Sequence, residues 1–243
     1  AVHFEPGDRR IFSGGTEGVV RVWDASSGEQ LLHFEPNCGE IWRLRRSPDG
    51  RTLGAACNDG SAWLWPDDDP SHGIALRGHR QRVWQLAFDV TGERVVTTSF
   101  DNDARVWSVA DGSLLRRLSG HGETVWAATF TADGRIVTAS EDNSLRVWPV
   151  DEDEPVLTLT GHSDAVTTLE ISRDGRRLLS GSADSAVMLW HLDQLETAVD
   201  PLYRRLRRET ILCTSVDWRI RELGEEPTEA AQAFAACEAF YGR

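Results

Sequence analysis

From Val83 the chain alternates apolar and polar positions as far as Phe88, turns at Gly92 and resumes with Val95-Val96-Thr97. It turns again at Asp101, ends a third run at Trp107, and adds a weaker fourth run from Leu114 to Leu118. Runs this short, rich in β-branched residues and separated by turn residues, predict strands joined by hairpins. The same sentence then repeats. The next stretch offers Val125, Phe130, Asp133-Gly134, Thr138, Asp142 and Trp148, and the one after it Val166, Ile171, Asp174-Gly175, Ser180, Asp184 and Trp190.

Five tryptophans keep the period: Trp23, Trp65, Trp107, Trp148 and Trp190 fall 42, 42, 41 and 42 residues apart. A repeat of this length holds about four strands, and its small sheet cannot bury both faces alone, so it must stack on copies of itself. The expected units are 1–34, 35–77, 78–119, 120–160 and 161–195, an all-β array. After about residue 196 the pattern turns helical. Thr214 or Ser215 can cap a helix carrying Val216, Ile220 and Leu223, and Pro227-Thr228 opens a second with Ala230, Phe234, Cys237 and Tyr241. A helical hairpin is expected over 196–243.

Units three to five open with Gly78-His79, Gly120-His121 and Gly161-His162, each carries an Asp six residues before its Trp, and the first unit keeps Trp23-Asp24. In these features residues 1 to 192 resemble the WD40 repeat family. The resemblance implies a β-propeller. It favours seven blades, two of them upstream, since the chain begins within an innermost strand at Val2-His3-Phe4 and the fifth unit lacks a clear outer run. It also implies an internal hydrogen-bond chain in each complete unit: His79, Thr97, Asp101 and Trp107; His121, Thr138, Asp142 and Trp148; His162, Ser180, Asp184 and Trp190. Indole N–H donates, the hydroxyl relays, imidazole does both and carboxylate accepts, so no group is left unpaired. The second unit departs, with Pro36-Asn37 for Gly-His and Ala55 for the hydroxyl.

The formal net charge of −13 argues against a nucleic-acid surface, where basic residues supply most of the attraction. No stretch approaches the length of apolar residues that a membrane span needs. All 26 basic residues are Arg, which suggests a GC-rich coding genome. Four cysteines, at 38, 57, 213 and 237, lack the close spacing of a zinc site; Cys213 and Cys237 either pair in an oxidising compartment or remain buried thiols. No cofactor or metal is expected. A cytoplasmic location is.

Ser180, His162 and Asp184 supply the residue types of a hydrolase triad, but the set recurs in three units and its hydroxyl sits mid-strand, so a structural role is expected. Two acidic runs, Asp67-Asp68-Asp69 and Asp151-Glu152-Asp153-Glu154, read as solvated loops on the opposite face, with a divalent-cation site the alternative. A second tryptophan series is more informative. Trp42, Trp84 and Trp126 each follow the first apolar residue of an innermost strand, with Thr167 in the fifth unit. By the resemblance these positions lie at the mouth of the central channel, beside Arg82, Thr124 and Glu40 and beside Phe100, Glu141 and Asn58. Two readings fit: blade-to-blade packing, or a binding cluster of Trp42, Trp84, Trp126, Arg82 and Phe100.

The function expected is non-catalytic protein interaction or sensing, the partner being another protein or another domain of the same polypeptide. The tail from Leu212-Cys213 through Leu223-Gly224-Glu225 to Cys237-Glu238 resembles that of large bacterial signalling or defence proteins linked to kinases or NTPases. That resemblance implies an upstream effector such as a kinase, NTPase or protease. The alternatives are a small ligand or glycan on the Trp ring, and catalysis from the channel.

Overall fold

The computed structural model describes residues 1–192 except 6, 8, 153 and 173; the expected helical hairpin lies outside them. Five antiparallel sheets follow one another along the chain. The first contains β1 (Val2–Phe4), β2 (Arg10–Gly14), β3 (Val20–Asp24) and β4 (Gln30–Phe34), and the second β5 (Ile41–Arg46), β6 (Thr52–Cys57), β7 (Ser61–Pro66) and β8 (Ile74–Arg77). The third holds β9 (Val83–Phe88), β10 (Arg94–Ser99), β11 (Ala104–Ser108) and β12 (Leu114–Leu118). The fourth holds β13 (Val125–Phe130), β14 (Ile136–Ser140), β15 (Leu145–Trp148) and β16 (Leu157–Leu159), while the fifth shows β17 (Val166–Ile171), β18 (Arg177–Ser182) and β19 (Val187–His191). Each unit foreseen from the repeat is therefore one sheet, and the innermost strands β1, β5, β9, β13 and β17 pack in succession.

The cores lie between sheets. Phe12, Val20 and Val22 of the first unit pack with Leu44, Leu53 and Ala55 of the second, and Leu64 of the second with Leu86, Val95 and Trp107 of the third. Val96 and Val106 of the third meet Val125, Ala128 and Ile136 of the fourth. Burying each such Leu or Val contributes roughly 1.5–3 kcal/mol, which explains why sheets this small are stable only in a stack. Approach is close enough that a Cβ on Gly54 would stand 2.7 Å from Leu86 Cδ1.

Polar relays tie the strands of units three to five together. Trp107 Nε1–H donates to Thr97 Oγ1 over 2.8 Å, that hydroxyl faces His79 Nε2 at 2.8 Å, and His79 Nδ1 lies 3.0 Å from Asp101. Since carboxylate only accepts, Nδ1 carries the proton and Nε2 receives the hydroxyl hydrogen. The same chain joins Trp148, Thr138, His121 and Asp142 at 2.9, 2.7 and 2.8 Å, and Trp190, Ser180, His162 and Asp184 at 2.8, 2.8 and 2.9 Å. In the first unit only the Trp23 to Ser13 bond forms, at 2.8 Å.

Unit two is fastened by other means. Cys38 and Cys57 form a disulfide, a pairing that spacing alone did not suggest. Asp68 corrects the reading of its acidic run as a solvated loop. Its carboxylate is 4 % exposed and takes the Arg46 guanidinium, itself 3 % exposed, together with Arg10 at 2.7 Å from unit one. Asp69 caps the short 3₁₀ turn at Pro70–His72 by accepting from Ser71 N–H. Among the described residues no group of His, Cys, Asp and Glu is arranged to hold a metal.

Candidate docking site at the channel mouth

Each described inner strand from β5 onward carries the same irregularity. Ile41 pairs with Cys57 and Arg43 with Ala56, so Trp42 has no residue opposite it; Trp84, Trp126 and Thr167 are skipped in the same way. These are β-bulges, and a bulged residue is released from the ladder and re-aimed. The tryptophan series thus occupies the one position per strand whose side chain the sheet does not constrain.

The loops come together by a repeated backbone bond. Phe100 N–H donates to Arg82 O over 3.2 Å, Asn58 to Glu40 and Glu141 to Thr124 each over 2.9 Å. Turn residues stitch neighbouring units at the same end: the Asn102 amide, on a backbone with φ 68°, donates to Gly122 O over 3.0 Å. Asn tolerates this left-handed conformation better than most residues.

The rings meet on this frame. Trp42 and Trp84 lie 5.2 Å apart between centroids, Trp84 and Trp126 5.1 Å at 90°, and Phe100 and Trp126 5.0 Å at 72°. Trp84 also meets Phe100 edge-on at 6.0 Å. Edge-to-face pairs of this kind contribute about 0.5–1.5 kcal/mol each beyond burial. Arg82 places its guanidinium 4.5 Å over the Phe100 ring while staying exposed. All four rings remain partly exposed. The rings bridge units two to four and still present a surface. Trp42 donates to Asn58 Oδ1 over 3.3 Å, whereas the Trp126 indole N–H is buried without an acceptor.

The WD domain, G-beta repeat family matches residues 1–24, 28–66, 71–108, 112–149 and 153–191, most of the chain. The chain belongs to the WD40 repeat family. It is 37% identical over 67 residues to the guanine nucleotide-exchange factor SEC12 of Mus musculus, covering 28% of this chain and 16% of that protein. It is 32% identical over 56 residues to the U3 small nucleolar RNA-associated protein 4 of Schizosaccharomyces pombe, covering 23% and 8%, and 32% identical over 62 residues to WD repeat-containing protein 3 of Homo sapiens, covering 26% and 7%. The chain thus spans a small part of the length of these relatives. WD40 repeats bind other proteins.

The WD40 relays occupy their units' interiors, away from any chemistry. Ser180 has no exposed surface, and its hydroxyl is engaged by both Trp190 and His162. A hydroxyl so placed cannot reach a substrate. The relay carboxylates are strongly acidic. Burial pushes Asp101 upward, but the His79 hydrogen bond and the N–H groups of Arg80 and Asp103 hold it well below the usual range. Asp142 behaves likewise, with burial opposed by His121, Ser144 and Gly122 N–H. Asp184 is pulled to about 2, first by Ser163 N–H and then by Ala186 N–H and His162, against desolvation. These carboxylates also fix the mouth loops, accepting from the N–H of Arg80 at 2.9 Å, Gly122 at 3.1 Å and Ser163 at 2.9 Å.

Proposed function

We propose that these WD40 repeats are a non-catalytic docking module that engages a protein, or a domain of its own polypeptide, through Trp42, Trp84, Trp126, Phe100 and Arg82. The observation that carries the reading is the convergence, at one end of the stack, of three partly exposed Trp rings on bulge positions with the Phe100 ring and an exposed guanidinium. Trp and Arg dominate the energetics of protein interfaces, and such a patch needs no chemistry of its own. The test compares affinity capture by the wild-type chain, Trp84→Ala and Val90→Ser, a change at an exposed hairpin position outside the patch. Loss of a specific protein with Trp84→Ala alone, at an unchanged fold, supports docking. Retention of every captured protein sinks it, and loss of glycan binding in its place assigns the patch to sugars.

The parent protein in this proposal is a bacterial signalling or defence polypeptide of the cytoplasm whose effector, a kinase, NTPase or protease, is a separate domain. The tail pattern after Leu212 and the all-Arg composition support that placement. The proposal also sets the five sheets within a seven-bladed ring. Apolar side chains left exposed on the outermost sheets, Val2 and Phe4 at one end and Leu179, Val187 and Leu189 at the other, support further stacking.

A further inference from the structure

In units three to five the loop entering the innermost strand is tied down twice. The relay carboxylate accepts the N–H of the residue after the His, namely Arg80, Gly122 or Ser163. A serine at the end of the second strand then donates to the carbonyl of the next residue: Ser99 to Gln81 at 3.1 Å, Ser140 to Glu123 at 3.1 Å and Ser182 to Asp164 at 2.8 Å. In unit two the carboxylate of Asp59 accepts instead from Ser61, and Cys57 stands where the serine would; Asn37 and Ala55 replace the His and the hydroxyl of the relay. In the repeat frame Cys38 occupies the position of Arg80, and Cys57 that of Ser99. The disulfide therefore joins the same loop to the same strand end that hydrogen bonds join elsewhere, one residue earlier in the loop than the carbonyl the serine reaches.

We propose that the Cys38–Cys57 bond is a redox-operated clamp on the mouth loop of unit two, standing in for the missing polar relay. What it holds is one arm of the docking patch. Asp59 N–H donates to Cys38 O over 3.2 Å and Asn58 N–H to Glu40 O, and Asn58 is also the residue that orients the Trp42 indole. Two-electron reduction by a dithiol, which is itself oxidised to a disulfide, leaves two thiols and removes the covalent link. The loop then keeps only its backbone bonds, and Trp42 loses its fixed seat against Trp84. Oxidation by a disulfide or hydroperoxide returns the two electrons and two protons to that oxidant and closes the clamp. In a compartment that keeps thiols reduced, closing would report oxidative conditions. Both sulfurs are buried, so exchange waits on local opening of the loop.

The effect on partner binding rests on the docking reading above, but the clamp itself is tested without a partner. The full chain is followed by thermal melting and by hydrogen exchange over residues 36–40 and 58–59, with and without dithiothreitol. Reduction is expected to lower the melting midpoint of the wild type by roughly 6–12 °C. Exchange in the loop should quicken about tenfold or more, while Cys38→Ala/Cys57→Ala, which also lacks the serine donor of the other units, shows both changes at the outset and ignores the reductant. Adding Asn37→His and Ala55→Thr to that variant, with Asp59 and Trp65 already in place, should slow loop exchange again under reducing conditions. Identical melting and exchange in the wild type and the double-alanine variant would overturn the proposal. A reductant response that persists while Trp84→Ala leaves capture intact refutes docking alone; capture lost with Trp84→Ala but no reductant response refutes the clamp alone.

Discussion

Units two and three carry the same four strands and the same inner-strand bulge, yet they are fastened by different chemistry. Unit three uses a hydrogen-bond chain from Trp107 through Thr97 and His79 to the Asp101 carboxylate, completed by the Ser99 hydroxyl. Unit two uses a disulfide and a buried ion pair, Arg46 with Asp68, which also draws in Arg10 and Glu5 of unit one. The strands pair in either case because their ladders and faces are alike. What the fold demands at this point is that the connecting loop be held, and several kinds of bond meet the demand.

Breaking each fastener measures how unequal they are. Asp68→Ala leaves Arg46 buried without its partner, and loss of one member of a buried pair costs about 3–5 kcal/mol; denaturant unfolding should show it, and a loss below that of a surface control would mean the guanidinium finds water. His121→Ala in unit four strands the Thr138 hydroxyl and Asp142, at a cost of about 2–3 kcal/mol. An unchanged melting midpoint would remove the relay from the list of fasteners. Ser99→Ala deletes one neutral tether and should cost about 1 kcal/mol, well short of what the Cys38–Cys57 link contributes.

Acid sharpens the contrast further. The folded pKa values of Asp101, Asp142 and Asp184 lie below the ordinary carboxylate value of about 4. The unfolded chain therefore binds more protons below that pH, and stability falls as pH drops toward 2. The relay contribution is full above about pH 4. Melting curves at stepped pH should lose part of this acid limb in Asp184→Asn, and a limb unchanged in that variant would assign the dependence to other carboxylates.

Much of this was legible in the amino-acid order. Gly78-His79, Asp101 and Trp107 recur in register, so the five sheets followed from spacing and the three relays from the resemblance to WD40 repeats. The candidate set Trp42, Trp84, Trp126, Arg82 and Phe100 stood out because a second aromatic series kept the same period, and the structure brings those residues into contact. The bulge was invisible, since register is a property of two strands and no residue type announces it. The disulfide was missed because cysteines at 38 and 57 were weighed only for metal spacing. Aligning them on the repeat would have shown Cys57 standing where Ser99, Ser140 and Ser182 stand. Asp68 looked solvated because its partner Arg46 lies 22 residues away in another strand.

The unpaired residue in each inner strand from β5 to β17 answers to no cross-strand neighbour, and the chain already tolerates both an indole and a hydroxyl there, at Trp126 and Thr167. Side chains at these sites can be exchanged while every rung of the ladder stays where it is. For anyone wishing to write a new specificity onto this scaffold, they are the characters that can be edited without rewriting the sentence.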